Sequence, residues 1–221
     1  MTQGKKAVWI FGAGRFGRQA FEVLRRKYSD SRILIVDTDS DKFSHLESED
    51  VSLVRGDAVE YLKKNLARSG GEPRWIIPAV PIHLAFEWVK ARLGDESVIE
   101  QLPVPEPVIA LLPNPAPQDA GPVYMSYADF ICPPDCPQPA RVCTYTQMRR
   151  PGVLHEHLTQ IEHDDFRSVV ITSRQLAPGV GGYSPQALYD ALDEIRNSFR
   201  PILFSTACAC HGVMHAIQVH R

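Results

Sequence analysis

The amino-acid sequence predicts an α/β protein: a doubly wound parallel sheet, then a Pro/Cys-rich connector and a second strand-helix-strand unit. Three observations support this fold class. Short apolar runs alternate with amphipathic segments over the first hundred residues, eleven of the eighteen prolines fall between Pro103 and Pro139, and the alternation resumes after Arg167. Alternating strands and helices are typical of a parallel sheet with helices on both faces.

The first unit contains four predicted strands separated by helices. The strands are residues 7–11, 33–36, 51–54 and 75–77. Apolar residues at helical spacing mark the intervening helices: Phe16, Ala20, Val23 and Leu24 in the first, Val59, Leu62 and Leu66 in the second, Leu84, Trp88 and Leu93 in the third.

The second half of the chain is organised differently. Proline disfavours helix interiors and central strands, so residues 103–139 are predicted as a rigid connector with short strands at 108–112 and 123–127. A strand at 168–172, a glycine-rich loop, a helix that begins at Ser184-Pro185 and a strand at 202–204 follow. We divide the chain into domains 1–118 and 119–221, the second packed on the first sheet or continuing it.

Composition excludes several classes of protein. The chain has 221 residues, 44% hydrophobic and 23% charged, and a formal net charge of -2, so it is neither disordered nor a general polyanion binder. Nucleic acid is therefore not an expected partner. No apolar run is long enough to span a membrane, and the first six residues lack the apolar core of a secretion signal. We expect a cytoplasmic protein.

The segment Gly12-Ala13-Gly14-Arg15-Phe16-Gly17 lies between a predicted strand and a predicted helix, and Asp37 ends the next strand. In this context the glycines predict a Rossmann dinucleotide site: Gly12 for the tight turn, Gly14 for close approach of a pyrophosphate, and Gly17 for helix packing. A carboxylate at Asp37 accepts ribose hydroxyls and repels a 2′-phosphate, which favours NAD(H). The alternative is a tight turn that binds nothing.

Three segments together resemble the RCK N-terminal (Trk-type) nucleotide-binding domain of potassium channel and transporter regulators. They are residues 12–18, 35–39 and 54–58, and the resemblance covers about residues 6–95. It implies NAD(H) binding, with Arg15 at the pyrophosphate, Asp37 on the ribose and Asp57-Ala58 at the adenine, and it implies a homodimer. The full predicted cofactor set is Gly12, Gly14, Arg15, Phe16, Gly17, Asp37, Thr38, Asp57 and Ala58.

All five cysteines lie in the second half of the chain. Cys132, Cys136 and Cys143 fall within twelve residues, and Cys208 and Cys210 lie near the end. We predict a thiolate metal site from the first three and either Cys208 or Cys210, suited to an iron-sulfur cluster or to zinc. Two alternatives are buried apolar thiols and redox-active thiols.

Several other features have two interpretations each. The glycine-rich loop at 177–182 is a second anion site or a plain connection. His155, His157 and His163 form the solvated face of a helix or serve as ligands. His83 begins a helix or donates a proton, and His211 is a ligand or an acid.

Taken together, these features favour an NAD(H)-binding regulatory or redox-sensing protein that resembles potassium-transport regulators. Its expected partners are a dinucleotide, a second copy of the chain and a further protein. The alternative is an NAD-dependent oxidoreductase that uses the cysteines in electron transfer. A third possibility is an interaction protein with a degenerate nucleotide domain, since fold alone does not fix function.

Overall fold

Two larger sheets, a two-stranded hairpin and six α-helices form the scaffold in the computed structural model, which describes residues 7–68, 73–119, 121–139, 141–163 and 165–221. The prediction about a secretion signal concerns residues 1–6 and lies outside the described residues. The strands are β1 (Val8–Phe11), β2 (Ile33–Asp37), β3 (Val51–Arg55), β4 (Trp75–Pro78), β5 (Val98–Leu102), β6 (Ala116–Pro117), β7 (Val123–Ser126), β8 (Arg167–Thr172), β9 (Arg174–Ala177), β10 (Val180–Gly182), β11 (Ile202–Ala207) and β12 (His211–His220). The helices are α1 (Arg15–Lys27), α2 (Ala58–Asn65), α3 (Leu84–Leu93), α4 (Glu106–Ile109), α5 (Leu154–Thr159) and α6 (Pro185–Asn197).

The first sheet is parallel and has the strand order β3-β2-β1-β4. This confirms the predicted fold class. Between successive strands a helix or turn returns the chain to the end of the sheet where the next parallel strand begins. One detail of the predicted α1 face is wrong. Phe16 is 58% exposed, whereas Ala20, Phe21 and Leu24 are buried against the sheet.

The second sheet is mixed, and β12 is its centre. This ten-residue strand pairs antiparallel with β11, β5 and β7, while β11 pairs parallel with β8. The predicted strands at 168–172 and 202–204 and the predicted start of α6 are confirmed. The predicted strand at 108–112 is wrong, because α4 occupies residues 106–109 with proline in its first turn, where no amide hydrogen bond is lost.

A β-hairpin joins the two sheets where the sequence predicted a glycine-rich loop. Strands β9 and β10 pair antiparallel, and Tyr183 then exchanges two backbone hydrogen bonds with Ile76 of β4. One apolar core also crosses the junction, and within it Trp88 of α3 packs edge-on against Tyr189 of α6 with ring centroids 5.3 Å apart. Strands β5 and β6 precede residue 118 yet pair in the second sheet. The division at 118 stays a prediction.

Helix length has a direct bearing on membrane topology. Within the part of the chain that the structure describes, no helix is long and apolar enough to cross a bilayer.

Candidate functional site

The glycine-rich turn after β1 is too crowded for side chains at two of its three glycines. Gly12 has a φ of 103°, and a Cβ there would lie 2.4 Å from the carbonyl oxygen of Ala79. A Cβ at Gly17 would lie 1.8 Å from the carbonyl oxygen of Gly12. These contacts bring the first turn of α1 directly against the end of β1.

Gly14 stands in open space. A Cβ built on it would have no atom of another part of the chain within 4 Å. Gly14 is also the N-cap of α1, which has no side-chain cap and no acidic residue in its first turn. The backbone amides at the start of this 13-residue helix therefore face an open region that suits a phosphate group.

Asp37 fixes the turn from the neighbouring strand. Its carboxylate accepts hydrogen bonds from the amides of Ala13 at 2.7 Å and Asp39 at 2.9 Å, and pairs with Lys42 at 3.4 Å. Partial burial raises the pKa of this carboxyl, but these amides and the ammonium outweigh burial and hold the pKa below its ordinary value. An ionised carboxylate has about four lone-pair positions, so Asp37 can also accept a ribose hydroxyl.

The turn after β3 lies beside that of β2. Asp57 caps α2 by accepting hydrogen bonds from the amides of Val59 at 2.8 Å and Glu60 at 3.0 Å. Ala58 is buried, while the carbonyl of Thr38 accepts a hydrogen bond from Arg55. All the predicted cofactor residues thus lie at the carboxyl ends of three adjacent parallel strands, where open α/β sheets bind ligands.

A cavity of about 790 Å³ opens beside the start of α1. Phe16 and residues of the β9–β10 hairpin line it. We call it the thiol cavity, because all five cysteines also line it: Cys132, Cys136, Cys143, Cys208 and Cys210. Each thiol is free and partly exposed. The sequence predicted that these cysteines gather in space, and the structure brings all of them to one cavity.

The same cysteines do not form a preorganised metal site. Thiolates are suitable ligands for zinc or iron, but in the ranges that the structure describes no three Cys, His, Asp or Glu side chains are arranged to hold an ion. The residues as placed therefore do not fit a zinc ion or an iron-sulfur cluster. Metal binding stays a prediction, and no chemical step below depends on it.

Cys208 accepts several hydrogen bonds. Its Sγ accepts hydrogen bonds from Nε2 of Gln138 at 2.8 Å and from the amides of His211 at 3.3 Å and Cys210 at 3.5 Å. Burial raises the pKa of this thiol, but the His211 ring at 3.9 Å and the two amides prevail and lower it to about 7. Burial instead raises the pKa of Cys210 to about 11. Hydrogen bonds from Thr146 and Tyr145 also lower the pKa of Cys143, so two thiols of the cavity ionise more readily than an ordinary cysteine.

A buried histidine pair lies behind this site. Nδ1 of His83 is 3.0 Å from Nδ1 of His215, and Nε2 of His83 is 2.6 Å from the hydroxyl of Thr206. His215 also stacks on Phe86 at a centroid distance of 3.7 Å. Burial lowers the pKa of both rings, that of His83 well below its ordinary value and that of His215 to about 4, so both are neutral at pH 7.

Comparisons with known proteins agree with this arrangement. Residues 8–64 match the TrkA-N domain, which confirms the resemblance to the RCK N-terminal family. Residues 85–220, more than half of the chain, match a family described as "Uncharacterized protein, C-terminal domain". The chain belongs to this family. A curated "Uncharacterized protein" of Archaeoglobus fulgidus is 29% identical over 223 residues, which cover 95% of this chain and 98% of that protein. No solved structure matches the chain.

The family's C-terminal domain begins in α3 and includes the whole second sheet and every cysteine. Of the histidines considered above, His155 and His157 lie in α5. The prediction that His163 shares their helix is wrong, because it forms an isolated β-bridge with Phe166. His83 does begin a helix as the N-cap of α3, but its ring is buried in the histidine pair.

Sequence reasoning missed two residues of the thiol cavity. Gln138, whose amide reaches Cys208, has a φ of 49°, which is uncommon for a residue with a side chain. Arg150 lines the cavity with the Nε and Nη1 atoms of its guanidinium buried and without a hydrogen-bond partner. No local pattern marks either residue. The only sequence signal is that both lie in or next to the cysteine-rich segment 132–143.

Proposed function

We propose that this protein is an NAD(H)-binding regulator or redox sensor, in which the first sheet holds the dinucleotide and the thiol cavity responds to it. One observation carries the proposal. Phe16 directly follows Arg15 at the start of α1, where a pyrophosphate fits, and the same side chain lines the thiol cavity. A dinucleotide on the first sheet would therefore lie next to the cysteines.

The described residues fit the parts of NAD(H) in order along the sheet edge. The open face of Gly14 and the amides of α1 suit the pyrophosphate, with the exposed Arg15 beside it. Asp37 accepts the ribose hydroxyls and disfavours a 2′-phosphate, and Asp57-Ala58 border the adenine. When bound, the nicotinamide supplies two-electron hydride chemistry. These assignments are supported by the TrkA-N match over residues 8–64.

A regulator is favoured over an enzyme because the two buried histidines behind the cavity are engaged with each other and with Thr206 instead of with a group that lines the cavity. The histidine pair that could transfer protons is buried, with its rings bonded to each other and to Thr206. A specific observation also favours an NAD-dependent oxidoreductase as the second candidate. The ionisable Cys208 lies in the cavity that adjoins the dinucleotide site, so a disulfide formed at Cys208 would lie within reach of hydride from NADH, which would reduce its S–S bond to two thiols.

The test is a fluorescence titration with NADH of the wild type, Gly14→Ala and Gly121→Ala. A methyl group at Gly14 meets no protein atom within 4 Å, so it occupies ligand space only, and we expect at least a tenfold loss of affinity, about 1.4 kcal/mol. The Gly121 variant controls for the substitution itself. A Cβ at Gly121 would have its nearest atoms 3.5 Å away, and residue 121 is distant in sequence from the predicted dinucleotide site.

Equal affinity in the two variants would refute the placement of the pyrophosphate at Gly14. Absence of NADH binding to the wild type would refute the proposed function and favour the interaction protein. Oxidation of NADH with an added electron acceptor would favour the oxidoreductase, and binding without turnover would favour the regulator.

A further inference from the structure

Arg150 places a permanent positive charge in the wall of the thiol cavity. Its Nε and Nη1 atoms are buried and make no hydrogen bond, and no ion pair is found for it among the described residues. Burying a charge without a partner is costly, so such groups are normally compensated by an anion. Arg150 and all five cysteines line this one cavity, so its guanidinium shares the space that the thiols face.

Cys208 forms a second polar point of the same cavity. Three N–H groups donate to its sulfur, and hydrogen bonds of this kind favour the charged form of the accepting group. One donor is the side chain of Gln138, whose left-handed backbone costs energy that the surrounding structure must compensate. This arrangement prepares the Cys208 sulfur for reaction.

The remaining wall suits the body of a small organic molecule. Phe16, Phe130, Ile131 and Met148 line it, and the ring of Phe130 stacks on that of Tyr145 at 4.6 Å. Its volume of about 790 Å³ lies within the usual range of small-molecule sites. Asp129 and Arg149 also line the cavity, so its wall carries charges of both signs, but Arg150 is the one of these three described residues with buried side-chain nitrogens, Nε and Nη1, that lack a partner.

We propose that the thiol cavity is a reaction site for an anionic low-molecular-weight disulfide, whose carboxylate binds Arg150 and whose sulfur is attacked by Cys208. The Cys208 thiolate forms a bond to one sulfur of the ligand as the ligand's own S–S bond breaks. The other half of the ligand leaves as a thiolate and carries away the electron pair, so Cys208 is oxidised and the leaving half is reduced. No other oxidant is required. The inference deepens the proposed redox-sensing function, since it names the class of molecule sensed.

The experiment measures mixed-disulfide formation on the reduced full-length chain by peptide mass mapping. The three probes are oxidised glutathione, which is anionic, bis(2-hydroxyethyl) disulfide, which is neutral, and cystamine, which is cationic. We expect Cys208 to be modified first. We also expect the rate with oxidised glutathione, divided by the rate with the neutral probe, to be about tenfold higher in the wild type than in Arg150→Gln. The neutral probe should react with both proteins at the same rate.

Three further variants separate the effects of charge, folding and the attacking sulfur. Arg150→Lys keeps the charge and should retain the preference for oxidised glutathione even if the guanidinium geometry is lost. Arg141→Gln, an exposed arginine of the same segment that does not line the cavity, should react like the wild type. Cys208→Ser should abolish the fast modification.

Three results would overturn the inference. They are equal relative rates for the three probes, first modification at another cysteine, or an Arg150→Gln variant that slows the neutral and anionic probes alike. None of these measurements contains NADH, so they stand apart from the titration of Gly14→Ala. Charge-selective modification without NADH binding would retain the disulfide site and reject the dinucleotide part of the proposed function.

Discussion

The buried pair of His83 and His215 should make the protein sensitive to mild acid. The folded state keeps both rings neutral, whereas an unfolded chain binds protons at the ordinary histidine pKa of 6.5. Stability that is present above pH 6.5 is therefore lost as the pH falls toward the folded-state pKa of about 4 for His215. From this shift His215 alone lowers the free energy of unfolding by about 2 kcal/mol between about pH 8 and pH 5.

The surroundings of the pair reinforce this direction. Lys90 is the cation whose charge acts on His215, and the remaining neighbours are Phe86, Phe204 and the hydroxyl of Thr206. None of these four groups carries a negative charge that would offset the cost of charging a buried ring. Carboxylates whose folded pKa is depressed, such as Asp37, lose their contribution only at lower pH, below their ordinary value of 3.8.

Urea unfolding followed by tryptophan fluorescence at several pH values measures the effect, with His215→Leu as the perturbation. We expect the difference in unfolding free energy between about pH 8 and pH 5 to shrink by about 2 kcal/mol in this variant. His45→Asn is the control, because His45 is exposed and its backbone lies in the left-handed region that asparagine tolerates. An unchanged pH dependence in His215→Leu would refute the argument.

Two other predictions concern single contacts. Asp57→Ala removes both cap hydrogen bonds of α2, so it should lower the unfolding free energy by about 1 kcal/mol and also weaken NADH binding. Ser184→Ala removes the cap of α6, so it should lower the unfolding free energy without changing NADH binding. Urea unfolding and NADH titration check both variants, and weakened NADH binding in Ser184→Ala would contradict the distinction. Gly182→Ala places a Cβ 2.8 Å from the carbonyl oxygen of Ile76, so it should destabilise the junction of the sheets by about 1–3 kcal/mol in a thermal melt. The matched Gly121→Ala should melt like the wild type.

The first sheet could be predicted because its signals are local. Strands β1 and β2 are short apolar runs, and the glycine-rich turn marks the start of α1. Helix α6 was predictable for the same reason, since Ser184 and Pro185 mark its start within two residues. In each case one contiguous segment contains the information.

The second sheet could not be predicted in full because its signals are distant in sequence. The ten residues of β12 show no clean alternation, since four successive residues, 214–217, are buried, and its partners β5, β7 and β11 come from three parts of the chain. In α4, proline was taken to exclude a helix, although proline is well tolerated in a first turn. The histidine pair joins residues 132 positions apart, so no window of sequence contains it.

The cysteine loop is tied to the nucleotide helix, and this connection permits a direct test of sensing. Nε2 of Gln19, on α1, donates to the carbonyl of Pro134 at 2.7 Å, between Cys132 and Cys136. Gly179 of the hairpin fits tightly here, because a Cβ on it would lie 1.6 Å from the same carbonyl oxygen. A ligand that shifts or orders the start of α1 thus acts on the loop that carries two of the five thiols.

We therefore expect NADH to change the rate at which iodoacetamide labels Cys132 by about fivefold, a usual size for coupling between two sites. Gln19→Ala should bind NADH normally but lose most of this change, because the hydrogen bond that joins helix and loop is absent. Labelling that responds to NADH equally in both proteins would show that the coupling takes another route. Labelling that is indifferent to NADH in the wild type would separate the two sites and remove the reason for calling the protein a sensor. Because the two sites are coupled through α1, oxidation of the thiols should in turn alter NADH affinity, which the titration measures independently.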